Sequence, residues 1–464
     1  MFRSTALACL VLAALPGGAA ANGRAPATST IAFRAGHESD IAVGLTWGLL
    51  ISHDGGASWA WVCENAVGYS GMYDPIYVLS DGGALFASTF NGFQVARDGC
   101  SFAPVGPNVP FASTATVGPD HLIYYGAAQA ADPSHGVAAD YNIYRSSDAD
   151  SGSFTPTAGQ PAGPVAWWES IAVAPTNPQL VYLSGYVFRA DSPGGQNRRH
   201  QLFYRSDNAG QDWTALPIEA TSVTVMPNSS IDIVGVAQDG RVYIRVKLDD
   251  NIMSDSLYRS DDLGASWQPI LHKPTSITAF TVRTAQNAGG HHDLIAGTRA
   301  DPAEISHDDG ATWSPLAGSP HMGCVVENAA GELWACSQNY GTTGPSDDAG
   351  IMKTTDPESG TWTKVLRYQD LTQAAACGAG TTQQATCVPM WCSVCAQLGC
   401  TPDAAYSCPG GVEAPAPAPR SGGCCDAGSG GAGALALGLS VGMVMRRPRR
   451  RRRAPAHASH PRSV

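Results

Sequence analysis

Between residues 28 and 370 the chain runs in short segments in which apolar and polar positions alternate, each segment ended by Gly, Pro, Asn or Asp. Alternation with period two predicts half-buried β-strands. The stretch from Ser170 shows it best. Ser170 to Ala174 is followed by a Pro-Thr-Asn-Pro turn, then Leu180 to Tyr186, Gln201 to Ser206, a second turn, and Trp213 to Ile218. That is a meander of four strands.

The second turn belongs to a repeat. Ser52-His-Asp54-Gly-Gly56-Ala-Ser58-Trp59 has the form S-x-D-x-G-x-S/T-W, and it returns in full around Asp262 and Asp308. A fourth copy replaces the Asp with Asn208, and Asp98, Asp148 and Asp356 mark three degenerate copies with one residue lost or gained. The aromatic anchors Trp59, Phe102, Phe154, Trp213, Trp267, Trp313 and Trp362 recur every 43 to 59 residues. The chemistry is that of a hairpin turn. The carboxylate accepts backbone N–H groups across the turn, glycine supplies a positive φ, and the aromatic opens the outgoing strand. Repeats of this length with four strands each match propeller blades.

The motif resembles the Asp box (BNR repeat) of sialidases, sortilin-type receptors and bacterial surface propellers. The resemblance implies an all-β fold, a seven-bladed β-propeller of four-stranded antiparallel blades over residues 28–370, with the boxes as scaffold rather than catalytic groups. A blade without a box, or a closing strand from a terminus, leaves six or eight blades open.

Composition agrees: 14% charged residues, 52 Gly and 32 Pro point to many turns, and 11 Trp with 15 Tyr to a packed core. The net charge of −11 hides an asymmetry, because eight of the 28 basic residues are arginines in the last 19 positions, and the rest of the chain sits near −19. So acidic a body repels phosphate backbones, and no nucleic-acid partner is expected.

The termini give the destination. Arg3, an apolar run from Ala6 to Leu15 and Ala19-Ala20-Ala21 read as a signal peptide over residues 1–21, cleaved before Asn22. A Pro/Ala/Gly linker (413–423) precedes Cys424-Cys425, a weakly apolar segment from Gly430 to Met445, and an arginine cluster from Arg446 to Arg453. This tail, 424–464, resembles the MYXO-CTERM sorting signal of myxobacterial surface proteins, although that family usually shows one leading cysteine. The resemblance implies processing by a sortase-like membrane protease and display at the cell surface or outer membrane, or release, with membrane contact only through the tail. A plain C-terminal anchor is the alternative.

Ten cysteines remain, an even number in an exported chain. Cys324 and Cys336 flank a Gly-containing turn and are expected to pair across adjacent strands. Cys63 and Cys100 are placed to join neighbouring blades. Cys377, Cys387, Cys392, Cys395, Cys400 and Cys408 fall in residues 371–412, a small disulfide-rich cap with fifteen possible connectivities. Trp391-Cys392-Ser-Val-Cys395 has the look of a redox W-C-x-x-C motif without the βαβ context such a site needs.

Propellers bind ligands at one end of the channel. The candidates there are Trp167, Trp168, Glu169, Tyr73, Asp74 and His321, together with Glu38, Asp40, Trp47 and Tyr69, and Arg198-Arg199-His200 sits in the longest loop between second and third strands, in blade 4. Adjacent aromatics on a rim stack on sugar faces; the competing reading puts one of the two indoles in the core. His291-His292-Asp293 is a metal-like cluster in a Gly-rich turn, where a solvated loop is the simpler reading. Two function classes follow: a non-catalytic surface propeller binding a glycan, a protein or an envelope component, and a glycoside hydrolase of sialidase or xyloglucanase type. No catalytic pair stands out, Phe33-Arg34 lacks the Ile-Pro of the sialidase segment, and several arginines lie in or beside boxes. No catalytic residue, cofactor or metal is assigned.

Overall fold

The computed structural model describes residues 24–408 apart from 70–72, 106–110, 149, 151–152, 166, 190–197, 250–251 and 342–343. The expected signal peptide, residues 409–412 of the expected cap, the linker and the expected sorting tail with Cys424 and Cys425 lie outside the described residues.

Twenty-eight strands form seven four-stranded antiparallel sheets, each taken in order from contiguous chain. Blade 1 holds β1–β4 (residues 28–62), blade 2 β5–β8 (77–104), blade 3 β9–β12 (112–156) and blade 4 β13–β16 (167–216). Blade 5 holds β17–β20 (230–273), blade 6 β21–β24 (279–315) and blade 7 β25–β28 (324–366). The first strand of each blade packs against the first strand of the next, and β25 returns to β1, so these seven strands line the channel. Antiparallel order then puts the first and third turns of every blade, boxes included, on one face. The second turns and the connections between blades make the opposite, loop face.

The boxes close as their chemistry requires. Asp54 accepts the Ser58 N–H at 2.8 Å and its hydroxyl at 2.6 Å, and Asp308 does the same with Thr312 at 2.8 and 2.6 Å. Asn208 keeps the frame by accepting the Asp212 N–H at 2.8 Å while its amide donates to the Asp212 carboxylate at 2.9 Å. Asp98 accepts from the Cys100 and Ser101 N–H groups, and Asp148 and Asp356 each accept the N–H of the residue two positions on. Two successive positive-φ residues make the turn, not one: Ala209, Leu263 and Asp309 precede their glycines at φ 55°, 58° and 55°. The carbonyl so exposed serves the neighbouring blade. Arg205 donates to Leu263 O at 3.4 Å, and Arg259 to Asp309 O at 2.7 Å.

Those arginines pair across strands with buried tyrosines, Tyr182 with Arg205 and Tyr243 with Arg259, as Tyr124 pairs with Arg145 and Trp334 with Lys353. Arg145 and Lys353 lie 5.4 and 4.9 Å over the rings they face.

Five disulfides form, and only part of the expected pairing survives. Cys324–Cys336 staples β25 to β26. Cys63 and Cys100 do not bond each other: Cys63 pairs with Cys387 and Cys100 with Cys377, so the C-terminal region is tied to blades 1 and 2 rather than only to itself. Cys392–Cys408 and Cys395–Cys400 complete the set among the described residues, so the two cysteines of the W-C-x-x-C segment each bond elsewhere from the helix Val388–Leu398. The physical reason is proximity: the segment after blade 7 runs along the outer edge of blade 1, which brings residues distant in sequence within bonding reach. Five disulfides belong to an oxidising, extracytoplasmic compartment.

Candidate functional site

The loop face is the apolar one. Among the described residues the exposed large hydrophobic side chains are Phe90 (46%), Val137 (38%) and Met226 (36%). All three stand on second turns or inter-blade connections. Ion pairs join neighbouring blades on the box face, among them Asp81–His121 (2.8 Å), Arg241–Asp309 (2.9 Å) and Arg283–Glu327 (3.1 Å), and on the loop face Lys273–Glu304 (2.7 Å) does the same.

Phe90 is the exposed end of a group of four rings that meet around Phe111. It occupies the Phe90-Asn91 turn of blade 2 and lies 4.4 Å from Phe111, nearly parallel at 10°. Tyr73 meets both rings edge-on at 5.0 and 5.9 Å, and Trp167 completes the group 5.0 Å from Phe111. The Tyr73 hydroxyl donates to Ser113 O at 3.0 Å, and burial pushes it up to about 12, so it remains a neutral anchor. Phe111 thus backs one face of Phe90, which is still about half exposed. A recess of about 320 Å³ lined by Tyr141, Asn142, Gln160, Pro161, Pro164 and Val165 opens on the same face between blades 3 and 4.

The six residues singled out by sequence go to different places. Trp167 and Tyr73 join the group of rings. Trp168 is fully buried between blades and donates its indole N–H to Tyr141 O at 2.8 Å, which makes it core. Asp74 pairs with Arg24 at 2.7 Å, and burial raises its carboxyl despite that partner. His321 holds Asp347 at 2.8 Å in a dyad over blade 7. Trp47 and Tyr69 are buried, and Tyr69 donates to Leu45 O.

Glu169 lines the channel at β13 (Trp167–Ala174) and accepts Ile231 N–H from β17 (Ser230–Val236) at 2.8 Å. Burial, with neighbouring Asp232 adding to it, raises Glu169 to about 8. For Asp232 burial acts upward, but Lys247 and Arg245 outweigh it and hold the group at about 2. The Asp232 Oδ2 accepts from two nitrogens of Arg245, with Lys247 at 3.6 Å. Arg199, from the Arg198-Arg199-His200 stretch, stacks over Tyr186 at 4.6 Å and donates to Asn228 O.

His291 and His292 sit on the box face, His291 on Asp309 at 2.6 Å and His292 buried against Arg283 O. Among the described residues no group of three or more His, Cys, Asp and Glu side chains is placed to hold a metal.

Phe90 and Phe111 were not foreseen from sequence. The signal that marks Phe90 is its place in Thr89-Phe90-Asn91-Gly92, a tight turn that has no core to bury a ring in.

No family model matches the chain, and no curated protein matches it. Among solved structures, the extracellular domain of BT4673 from B. thetaiotaomicron aligns at 15% identity and a TM-score of 0.45, over 68% of this chain and 37% of that one. The chain therefore corresponds to well under half the length of that domain. The GH74 enzyme of Niastella koreensis aligns at 15% identity and a TM-score of 0.30, over 75% of this chain and 66% of that chain. YCF48 bound to D1 peptide aligns at 13% identity and a TM-score of 0.39, over 67% and 90%.

Proposed function

We propose that this chain is a non-catalytic binding propeller of the cell exterior whose loop face takes a carbohydrate across blades 2 to 4. One observation carries the reading: the exposed apolar surface gathers on the loop face, and there a ring backed by a parallel ring, Phe90 on Phe111, stays about half exposed. A preorganised aromatic plane offers a sugar ring a contact that costs little ordering entropy. Neighbouring Asp74 is paired with Arg24, so no unbalanced charge adjoins the rings from that side, which suits a neutral glycan. The tail, with Cys424 and Cys425, would keep the protein at the surface after processing by a sortase-like membrane protease.

A glycan-array screen of the secreted, oxidised protein tests the reading. A selective signal lost in Phe90→Ala and Trp167→Ala, and kept in His53→Ala on the box face, supports it. A blank array sinks the glycan and directs attention to a protein partner, sought by pull-down from the cell envelope.

The second reading, a glycoside hydrolase, has Glu169 in its favour: a carboxyl held neutral beside an ionised Asp232 is the pattern of an acid and its partner. The geometry works against it, because Asp232 is locked by Arg245 and Lys247 and has little basicity left to activate water. Turnover of β-glucans or sialosides that vanishes in Glu169→Gln would establish the hydrolase over the binder.

A further inference from the structure

We infer that the segment after blade 7, residues 367–408, is a covalent clasp that closes the propeller ring. Every blade is contiguous chain, so no strand from one terminus completes a blade begun at the other. The seam between blades 7 and 1 is therefore held by side-chain packing of β25 and β26 on β1 (Thr28–Arg34), with Phe33 edge-on to Trp334 at 5.3 Å, and by polar contacts. Thr28 donates to Gly350 O of blade 7 at 2.8 Å, and Arg299 reaches in from the second turn of blade 6 to donate to Thr28 O at 2.8 Å.

The clasp crosses that seam on the outside. Leaving β28 (Thr363–Leu366), the chain lays Gln373–Ala375 beside β4 (Ala60–Val62): Trp61 N–H donates to Gln373 O at 3.2 Å, and Ala375 N–H to Trp61 O at 2.8 Å. Gln383, wholly buried, donates to Trp61 O at 2.8 Å and accepts Cys63 N–H at 3.2 Å. Cys63–Cys387 and Cys100–Cys377 then bond the clasp to blades 1 and 2, while Tyr340 of blade 7 donates to Leu398 O at 2.6 Å. Trp391, Trp61, Trp47, Tyr368 and Tyr340 continue as one line of rings 5.4 to 5.9 Å apart. One segment thus touches blades 7, 1 and 2, and the link across the seam spans a sequence separation of 324. Cross-links closing long loops restrict the open chain most.

The test compares three variants of the full chain, exported and oxidised, by hydrogen exchange resolved to peptides. Replacing Cys63, Cys100, Cys377 and Cys387 together with Ala removes both clasp bonds; Cys324→Ala with Cys336→Ala removes a bond within blade 7 that spans only 12 residues. Gln383→Leu keeps all five bonds and strips the buried amide, so it serves if the first variant does not fold. The clasp variant, or Gln383→Leu in its stead, is expected to exchange about tenfold faster in β1, β4, β25 and β28 with β13 and β17 unchanged, and the blade 7 control is expected to leave β1 and β4 as they were. Exchange that rises equally in all blades, or not at all at the seam, overturns the clasp.

Discussion

Asp308 offers the sharpest test of what the repeated turn contributes, because the chain supplies its own reference in Asn208. Asp308 accepts three hydrogen bonds, from Thr312 N at 2.8 Å, Thr312 Oγ1 at 2.6 Å and Ser306 Oγ at 2.8 Å. Asp308→Ala removes all three; the donors partly rehydrate at this half-exposed turn, so a loss of about 2 kcal/mol is expected rather than the sum for buried charged bonds. Asp308→Asn retains an oxygen for Thr312 N, as Asn208 does for Asp212 N, and is expected to lose about half as much. The pH dependence follows from the same bonds. Burial acts upward on the carboxyl, but Thr312 and Ser306 together bring it down to about 2 from an ordinary 3.8. The unfolded chain thus takes up the proton first, so the contribution is present above pH ~4 and fades as the pH falls toward 2. Calorimetric unfolding of the three proteins at pH 7 and pH 3 measures both effects. A neutral Asp308→Ala, or an Asn variant as damaged as the Ala variant, refutes the assignment of the turn's stability to the carboxylate.

Glu169→Gln is expected to stabilise the protein at pH 8 and not at pH 5. Glu169 titrates near 8 when folded against 4.5 when free, so the fold holds an extra proton and the wild type loses stability as the pH rises through that window, which denaturant titration at the two pH values reads out. Trp168→Ala empties a buried site and should cost about 3–5 kcal/mol, whereas Trp167→Ala on the rim should cost under about 1 kcal/mol; equal midpoints in urea would contradict their assignment to core and rim. Gly48 has φ +134°, and a Cβ there would stand 2.3 Å from Val62 O, so Gly48→Ala is expected to lower stability by about 3 kcal/mol or more, seen as a lowered midpoint in thermal melts.

Seven blades were legible because the turn that marks them is local chemistry: an Asp or Asn, a Gly and an aromatic within eight residues are enough to fold the hairpin. The second positive-φ residue was not legible, since Ala209, Leu263 and Asp309 advertise nothing, and only the glycine after each of them forces the pair. The tyrosine–arginine pairs were hidden for another reason. Tyr124 with Arg145 and Tyr243 with Arg259 occupy equivalent positions, but intervening turns of unequal length shift their spacing from blade to blade. Pairing of Cys63 with Cys387 depends on how the ring closes, which no local signal encodes.

Trp167, Trp168 and Glu169 show why the site resisted the same treatment. Strict alternation would send the first and third side chains to one side of β13. An irregular register between Trp168 and Ser170 breaks it, and three consecutive residues point to the rim, the inter-blade core and the channel wall. Irregularities of this kind gather where the blades differ. The box face repeats because each box closes its own hairpin, and in blades 5 and 6 its turn also offers a carbonyl to the arginine of the preceding blade. The second turns share no such duty and range from Thr46-Trp47 in blade 1 to residues 128–142 in blade 3. Repetition therefore marks the scaffold, and departures from it mark the surface on which the proposed ligand would sit. Phe90, in a turn where the other blades offer no exposed ring among the described residues, is the departure on which the binding reading stands.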